Sequence, residues 1–289
     1  YSVGRYLIVL GTWTIDGGSS IDKHGEVVTS EGEVIVYKGT DPASASTWSL
    51  VGVFRVGKPV GRRCFVQYGG DLILICQDGF IPLSRAVISV NPKAASITTK
   101  IANAVTTSVA SYGANFGWQG ILHPTESQLI FNVPVTENTE VHQYVMNTLT
   151  GAWCRFKAWN ANCWERLNDS IYYGGNGIVV KANSENSDLG ENITGDAKTA
   201  FSNFGSMKLN LFTMARPVTL SDGSVGAAME ANIDYEDRPP SSTPTFSGSG
   251  GAFWNVATWD VDSWAGTLEI KKDWQSIYGL GYSAALRLQ

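Results

Sequence analysis

Charge is scarce in this sequence: only 16% of its 289 residues are Asp, Glu, Lys or Arg, where an ordinary soluble domain carries about a quarter. Basic clusters are scarcer still. Beyond Arg62-Arg63 and Lys271-Lys272 no cations adjoin, so the phosphate-neutralising face that a nucleic-acid grip needs is missing. The formal net charge is −5. Histidine occurs three times, as His24, His123 and His142, and no G-x-S-x-G elbow accompanies it, which excludes a recognisable Ser-His-Asp arrangement. The four cysteines, Cys64, Cys76, Cys154 and Cys163, form no C-x-x-C. A zinc site is therefore not expected, and all four read as small core hydrophobes. The apolar runs "YLIVLG" and "DLILIC" have strand length and fall far short of the roughly 18 residues of a membrane span.

What is abundant is glycine (31 residues), aromatics (11%) and small hydroxyl residues, within a 43% hydrophobic content that rules out a disordered chain. Glycine supplies unusual backbone angles and aromatics cover half-buried faces, so the mixture predicts strands joined by many tight turns. Internal similarity supports this. "CFVQYGGDLILICQDGFIPLSRAV" and "CWERLNDSIYYGGNGIVVKA" share Cys-aromatic, a strand, a polar turn, an apolar strand, a Gly turn and a third strand. Two further segments share the outline without the cysteine, one from "RYLIVLGTWTI" to "WSLVGVFRVG", the other from "WQGILHP" to "GAWCRFK". A three-to-four-strand meander recurring every 45 to 55 residues or so is the signature of β-propeller blades. One stretch departs from it: in "SITTKIANAVTTSVASYGANFG", Ile97, Ile101, Val105 and Val109 recur at steps of four before Gly113. That spacing predicts one helix near 97–112 in place of an outer strand.

The expected fold is thus all-β: propeller-like repeated meanders over 1–207, then a small sandwich-like β domain over 208–289. A polar connector, "SENSDLGENITGD", leads toward the second domain, whose Pro/Ser/Gly tract at 238–252 reads as a mid-domain loop. The first strand begins almost at Tyr1, with no methionine, and the propeller domain is expected to be N-terminally incomplete.

Chemistry-bearing motifs are few. Carboxylates gather at Asp234, Glu236 and Asp237 and at Asp260 and Asp262. A calcium or glycosidase reading needs more, and "DVDSWAGTLE" fails the EF-hand register. "GLGYSA" fits a dinucleotide fingerprint by letter but has no room for the following helix. Asn168-Asp169-Ser170 and Asn192-Ile193-Thr194 match glycosylation sequons by letter only. No catalytic, cofactor-binding or metal-binding residue is assigned, and the expectation is that the protein is not an enzyme. The remaining candidates are Trp254, Trp259 and Trp264 in "FWNVATWDVDSWAG". A step of five fits neither helix nor strand, so each ring anchors a separate short segment, either in the core or at a subunit interface. Trp259 is expected as the core anchor and Trp254 as a contact to a neighbour.

The strings "TSEGEVIVYKGTDPASASTWSLVGVFRVGKPVGRR", "GGDLILICQDGFIPLS", "YGANFGWQG", "LIFNVPV", "QYVMNTLTGAWCRF" and "YYGGNG" together resemble a family of tail structural proteins of short-tailed bacteriophages and prophages. By looser analogy of fold they resemble tail nozzle subunits. The resemblance implies a β-propeller-containing virion protein, assembled in the bacterial cytoplasm, and supplies no catalytic motif. Its implied partners are copies of itself in a ring and other tail proteins, with duplex DNA passing without tight binding and no membrane insertion. The alternatives are a carbohydrate- or receptor-binding module, for which exposed tryptophans are stacking platforms, and a glycan-degrading enzyme.

Overall fold

The computed structural model describes residues 6–16, 21–89, 92–184, 187–188, 192–247, 252, 257–261 and 268–289. Strand dominates, and the chain divides into two compact units, Tyr1–Ser184 and Glu185–Gln289. The all-β expectation holds.

The first unit is built of four antiparallel meanders in chain order. The first comprises β1 (Leu7–Asp16), β2 (Ile21–Thr29), β3 (Glu33–Gly39) and β4 (Trp48–Arg55). The second comprises β5 (Phe65–Tyr68), β6 (Asp71–Cys76) and β7 (Gly79–Pro82). The third is β8 (Gln119–His123), β9 (Gln128–Thr136), β10 (Glu140–Asn147) and β11 (Trp153–Phe156). The fourth is β12 (Cys163–Leu167), β13 (Ser170–Gly175) and β14 (Ile178–Lys181). Each touches the next: β1 lies against β6, β5 against β8, and β8 against β12. Turn chemistry sets the hairpins. Asn168 and Asp169 both take positive φ, as do Asn176 and Gly177, the backbone of two-residue turns whose twist matches the flanking strands. The Asn168 sequon is therefore a hairpin turn.

After β7 the second meander departs from the expected third strand. Leu83–Ile88 form α1 instead, followed by α2 (Pro92–Ala95), a 3-10 turn at Thr99–Ile101 and α3 (Ala102–Tyr112). The reason is a cap from far along the chain. Asp71 accepts hydrogen bonds from the Ser84 backbone N–H at 3.1 Å and from its hydroxyl at 2.5 Å, satisfying a donor in the first turn. The helix expected near 97–112 is shorter: α3 starts at Ala102, Ile101 belongs to the 3-10 turn and Ile97 lies before it, while Gly113 caps the C-terminus as expected. Val105 and Val109 enter the main core, where Phe80 stacks on Phe131 at 4.0 Å. A second cluster, around Ile130, Trp164, Ile171 and Tyr173, fills the space between the third and fourth meanders.

The second unit contains β15 (Ala197–Lys198), β16 (Asn210–Ala215), β17 (Thr219–Ser221), β18 (Ser224–Gly226), β19 (Met229–Ile233), β20 (Thr245–Ser247), β21 (Glu269–Lys271), β22 (Gln275–Gly281) and β23 (Ala284–Leu288). They pair as β15-β23-β19, β16-β22, β17-β21 and β18-β20. The unit starts earlier than the 207/208 division expected from sequence. Lys198 pairs with Arg287, and Ser202 bridges to Ala284, so this stretch is fastened to the C-terminal strand. Part of the Pro/Ser/Gly tract is also strand, because β20 completes a ladder with β18.

Glu26 is the anomaly of the first unit. It is fully buried in β2, and neither carboxylate oxygen has a hydrogen-bond partner. Burial, with a smaller contribution from the Asp71 carboxylate, pushes its pKa from an ordinary 4.5 up to about 8. A carboxyl raised in the folded state favours the protonated form, so its stabilising effect is complete below the unfolded pKa. As pH rises from about 4.5 toward 8, the unfolded chain ionises first and stability falls, by up to ~1.4 kcal/mol per pH unit. Glu26→Gln should abolish this slope. At pH 7.5 the variant should exceed the parent in denaturant stability by on the order of 3–4 kcal/mol, and by little at pH 4.5. Parallel stability–pH curves for the two proteins would refute the assignment.

Candidate interaction surface

The second unit presents an apolar sheet face. In β22, Ile277, Gly279 and Gly281 turn inward, while Ser276, Tyr278 and Leu280 turn outward. The inward glycines are there because β19 crosses close above them. A Cβ on either would collide with the Ile233 side chain, which packs with Ala231, Ala215, Ile277 and Phe212 in the small core. This explains the "GLGYSA" letters without a nucleotide. Outward, Leu211 stands opposite Leu280 in the β16–β22 ladder, and the two are 57% and 52% exposed. Tyr278, Met214, Leu209 and Tyr282 extend the same exposed set. Leu220 and Ile270 form a second exposed pair across β17 and β21. Nearby in sequence, the Arg216 guanidinium lies 5.1 Å from the Trp274 ring centre, a contact that fixes a largely exposed indole.

Of the three tryptophans singled out by sequence, only Trp259 falls among the described residues; Trp254 and Trp264 lie outside them. Trp259 is 83% exposed and is followed by Asp260 at positive φ. The expectation that it anchors the core is therefore corrected. A turn carries its ring outward.

The candidate carboxylates serve the backbone and one ion-pair network. Asp234 Oδ1 accepts the Tyr282 and Ser283 N–H groups, each at 2.9 Å. Asp237 meets Arg287 Nη1 at 3.1 Å and Lys198 Nζ at 3.2 Å, while Asp196 holds Arg287 through Nε at 2.9 Å and Nη2 at 2.6 Å. This network ties β15, the segment after β19, and β23. Glu236 pairs with Arg238. Asp260 is exposed, and Asp262 lies outside the described residues. His24 and His123 are buried. His142 Nε2 lies 3.0 Å from Glu140, and burial lowers its pKa. Cys64 and Cys76 are buried free thiols as expected, whereas Cys154 is exposed and Cys163 partly so. Among the described residues, no group of three or more His, Cys, Asp or Glu is placed to hold a metal ion. No helix among them is long and apolar enough to cross a membrane.

Sequence reasoning missed the β16–β22 face, although its signal is legible. "NLFTMA" and "QSIYGLG", read at the strand period, put apolar residues on both faces, whereas a half-solvated strand alternates apolar with polar.

No family model matches the chain, and no curated protein does. A solved structure with a similar outline is that of an exo-β-1,3-galactanase from Phanerochaete chrysosporium with β-1,3-galactotriose. It aligns with 99% of this chain and 78% of its own at 11% identity and a TM-score of 0.37. The expectation that this protein is not an enzyme is corrected by that finding. Missing motifs are by themselves no ground for excluding catalysis. A likeness of this degree carries no argument for any particular activity or substrate.

The two tryptophan environments predict unequal mutational costs. Trp259→Ala should change denaturant stability by no more than about 0.5 kcal/mol. Trp164→Ala removes a ring buried with Tyr173 and Trp159 and should cost about 3–5 kcal/mol. Comparable losses for both in chemical denaturation would place Trp259 back in a core.

Proposed function

We propose that this chain is a structural subunit of a bacteriophage tail, working by assembly with copies of itself and with other tail proteins. The observation that carries the reading is the outward face of β16 and β22, where Leu211, Leu280 and Tyr278 stand exposed on a sheet whose other face is already core. Such a face suits coverage by a subunit neighbour, because exposed contiguous apolar surface is a liability in a free monomer. A slightly acidic chain also suits a passage for duplex DNA, since a basic lining would hold phosphates back. The resemblance of "QYVMNTLTGAWCRF" and its companion strings to tail proteins of short-tailed phages supports the location. A closed ring uses one heterologous interface repeatedly and leaves no open end.

A labelled copy of the protein, imaged in whole virions, should appear in the tail, and Leu280→Lys in the phage should leave particles with defective tails. Virions with no label in the tail would overturn the reading.

A second reading rests on Trp259. A ring 83% exposed on a turn is a stacking platform for a sugar face, so a carbohydrate-binding role in the virion is the alternative. Glycan-array binding that disappears in Trp259→Ala would favour it over the structural role.

A further inference from the structure

In the second unit, β23 has β19 on one side, and its other edge is covered by a strap from the start of the unit, β15 and the residues after it. Ala197 stands opposite Leu288 and Lys198 opposite Arg287. Thr199 extends the cover, donating its N–H to the Leu286 carbonyl at 2.9 Å and accepting the Leu286 N–H on its hydroxyl at 3.0 Å. Ser202 and Ala284 then exchange two backbone bonds, at 3.0 and 2.9 Å. Charge fixes the register of the strap: both Asp196 oxygens hold the Arg287 guanidinium, and Asp237 holds Arg287 and Lys198 together. Packing contributes little. Residues 196–200 are all exposed, and the ring contact of the strap is Phe201 against the exposed Tyr235. Ion pairs open to water add little stability each, so a segment held this way opens at low cost. The turn that leads from the strap to β16 is strained. Phe204 has a φ of 50° and Gly205 of 78°, and a bulky side chain rarely adopts the first of these.

We propose that copies of this chain exchange the strap, residues 196–203 of one copy seating on the β23 edge of another. Three observations select that occupant. The β23 edge already carries this segment, and the receiving charges, Arg287 and Asp237, answer Asp196 and Lys198. The same segment from a second copy makes every one of these contacts again, so the exchanged and unexchanged forms differ mainly at the hinge. There the difference favours exchange, because an extended 203–209 releases Phe204 from positive φ. Undocking is also cheap, since it moves side chains at 196–200 that already face water. The β23 edge that it uncovers is a template for strand pairing, and the strap of a neighbour fits it residue by residue. Exchange is a property of the chain itself and does not depend on the tail location.

Two full-length variants expressed in the same cell test it, one carrying Ala197→Cys and the other Leu288→Cys. Their new thiols face each other only when the strap of one chain lies on β23 of the other, where paired antiparallel strands hold Cα atoms within disulfide reach. After oxidation, a 197–288 linked peptide should appear in the mass spectrum of the joined chains, a readout that the native thiols do not confuse. Ala197→Cys with Leu288→Cys in a single chain controls for geometry and should give the same peptide. Phe204→Gly, which takes positive φ without strain, should lower the inter-chain yield at least about fivefold and leave circular dichroism unchanged. If a cysteine variant does not fold, carbodiimide coupling of Lys198 to Asp237 in parent refolded from unlabelled and isotope-labelled chains replaces it. Mixed-isotope peptides are then the expected result, and same-isotope peptides alone would overturn the proposal. So would a missing inter-chain 197–288 peptide where the single-chain control links, or a control that links nowhere, since the register of β15 on β23 would then be wrong. An inter-chain yield that Phe204→Gly leaves unchanged would remove the hinge argument and overturn it equally.

Discussion

The first unit depends on side-chain amides that join sheets whose own edges do not meet in a continuous ladder. An open antiparallel meander satisfies its backbone internally except along its two edge strands, and here, among the described residues, the edges of successive meanders meet only at isolated points such as the Arg63–Gln119 bridge. Three amides supply the directional links. Gln119 donates to the Trp164 carbonyl at 2.8 Å and accepts the Trp164 N–H at 3.0 Å, so one side chain behaves as an extra strand residue between the third and fourth meanders. The same Oε1 accepts from Arg63 at 3.0 Å, linking the approach to the second meander. Asn132 donates to the Gly117 and Ala161 carbonyls, and Gln143 donates to Asn132 Oδ1 and to the Trp159 carbonyl. Buried polar groups in such a network are costly unless paired. Their pairing fixes the loop before β12, and with it the aromatic cluster of Trp159, Trp164 and Tyr173.

Sheet stacking held this way leaves the question of its ends. A polar end row such as Glu165–Tyr172–Lys181 faces water without cost. An apolar end row leaves hydrophobic area uncovered, worth about 25 cal/mol per Å² if a partner removes it from water. The low charge content of the chain follows from the same architecture. When sheets are apolar on both faces, strand positions that would otherwise carry Lys or Glu carry Val, Leu or Tyr instead.

How far the sequence could be read depended on whether the determining contact was local. The meanders were legible because period-two patterning and the Asn-Asp and Asn-Gly turns are neighbours' chemistry. Helix α3 was legible in part: Val105 and Val109 define its buried face, whereas Ile97 and Ile101, which extended the same period, fall before it. Helix α1 was not: its first turn is satisfied by Asp71, thirteen residues upstream, and no window around "PLSRAV" contains that fact. Likewise the unit boundary depended on Lys198 finding Arg287. Trp259 was misplaced because a five-residue spacing specifies no face, so its ring direction was set by a turn rather than by a period.

Glu26 shows the same limit from the opposite side. In "HGEVVT" it reads as a polar position on a half-exposed strand, and only the packing of the second meander makes it buried. Gly11 stands opposite it in β1, and a Cβ there would press on the Leu72 side chain at 2.9 Å. On the other side stands Val36, with Gly52 beyond it in β4. The row Gly11–Glu26–Val36–Gly52 therefore sits one pleat inside the exposed row Leu10–Val27–Ile35–Val53. An uncharged Glu26 is what lets the inner row pack as apolar surface, since a bare carboxylate without a partner would be driven toward water. Burial of Glu26 favours its neutral form, and in that form the row Gly11–Glu26–Val36–Gly52 can pack against the second meander without a bare charge.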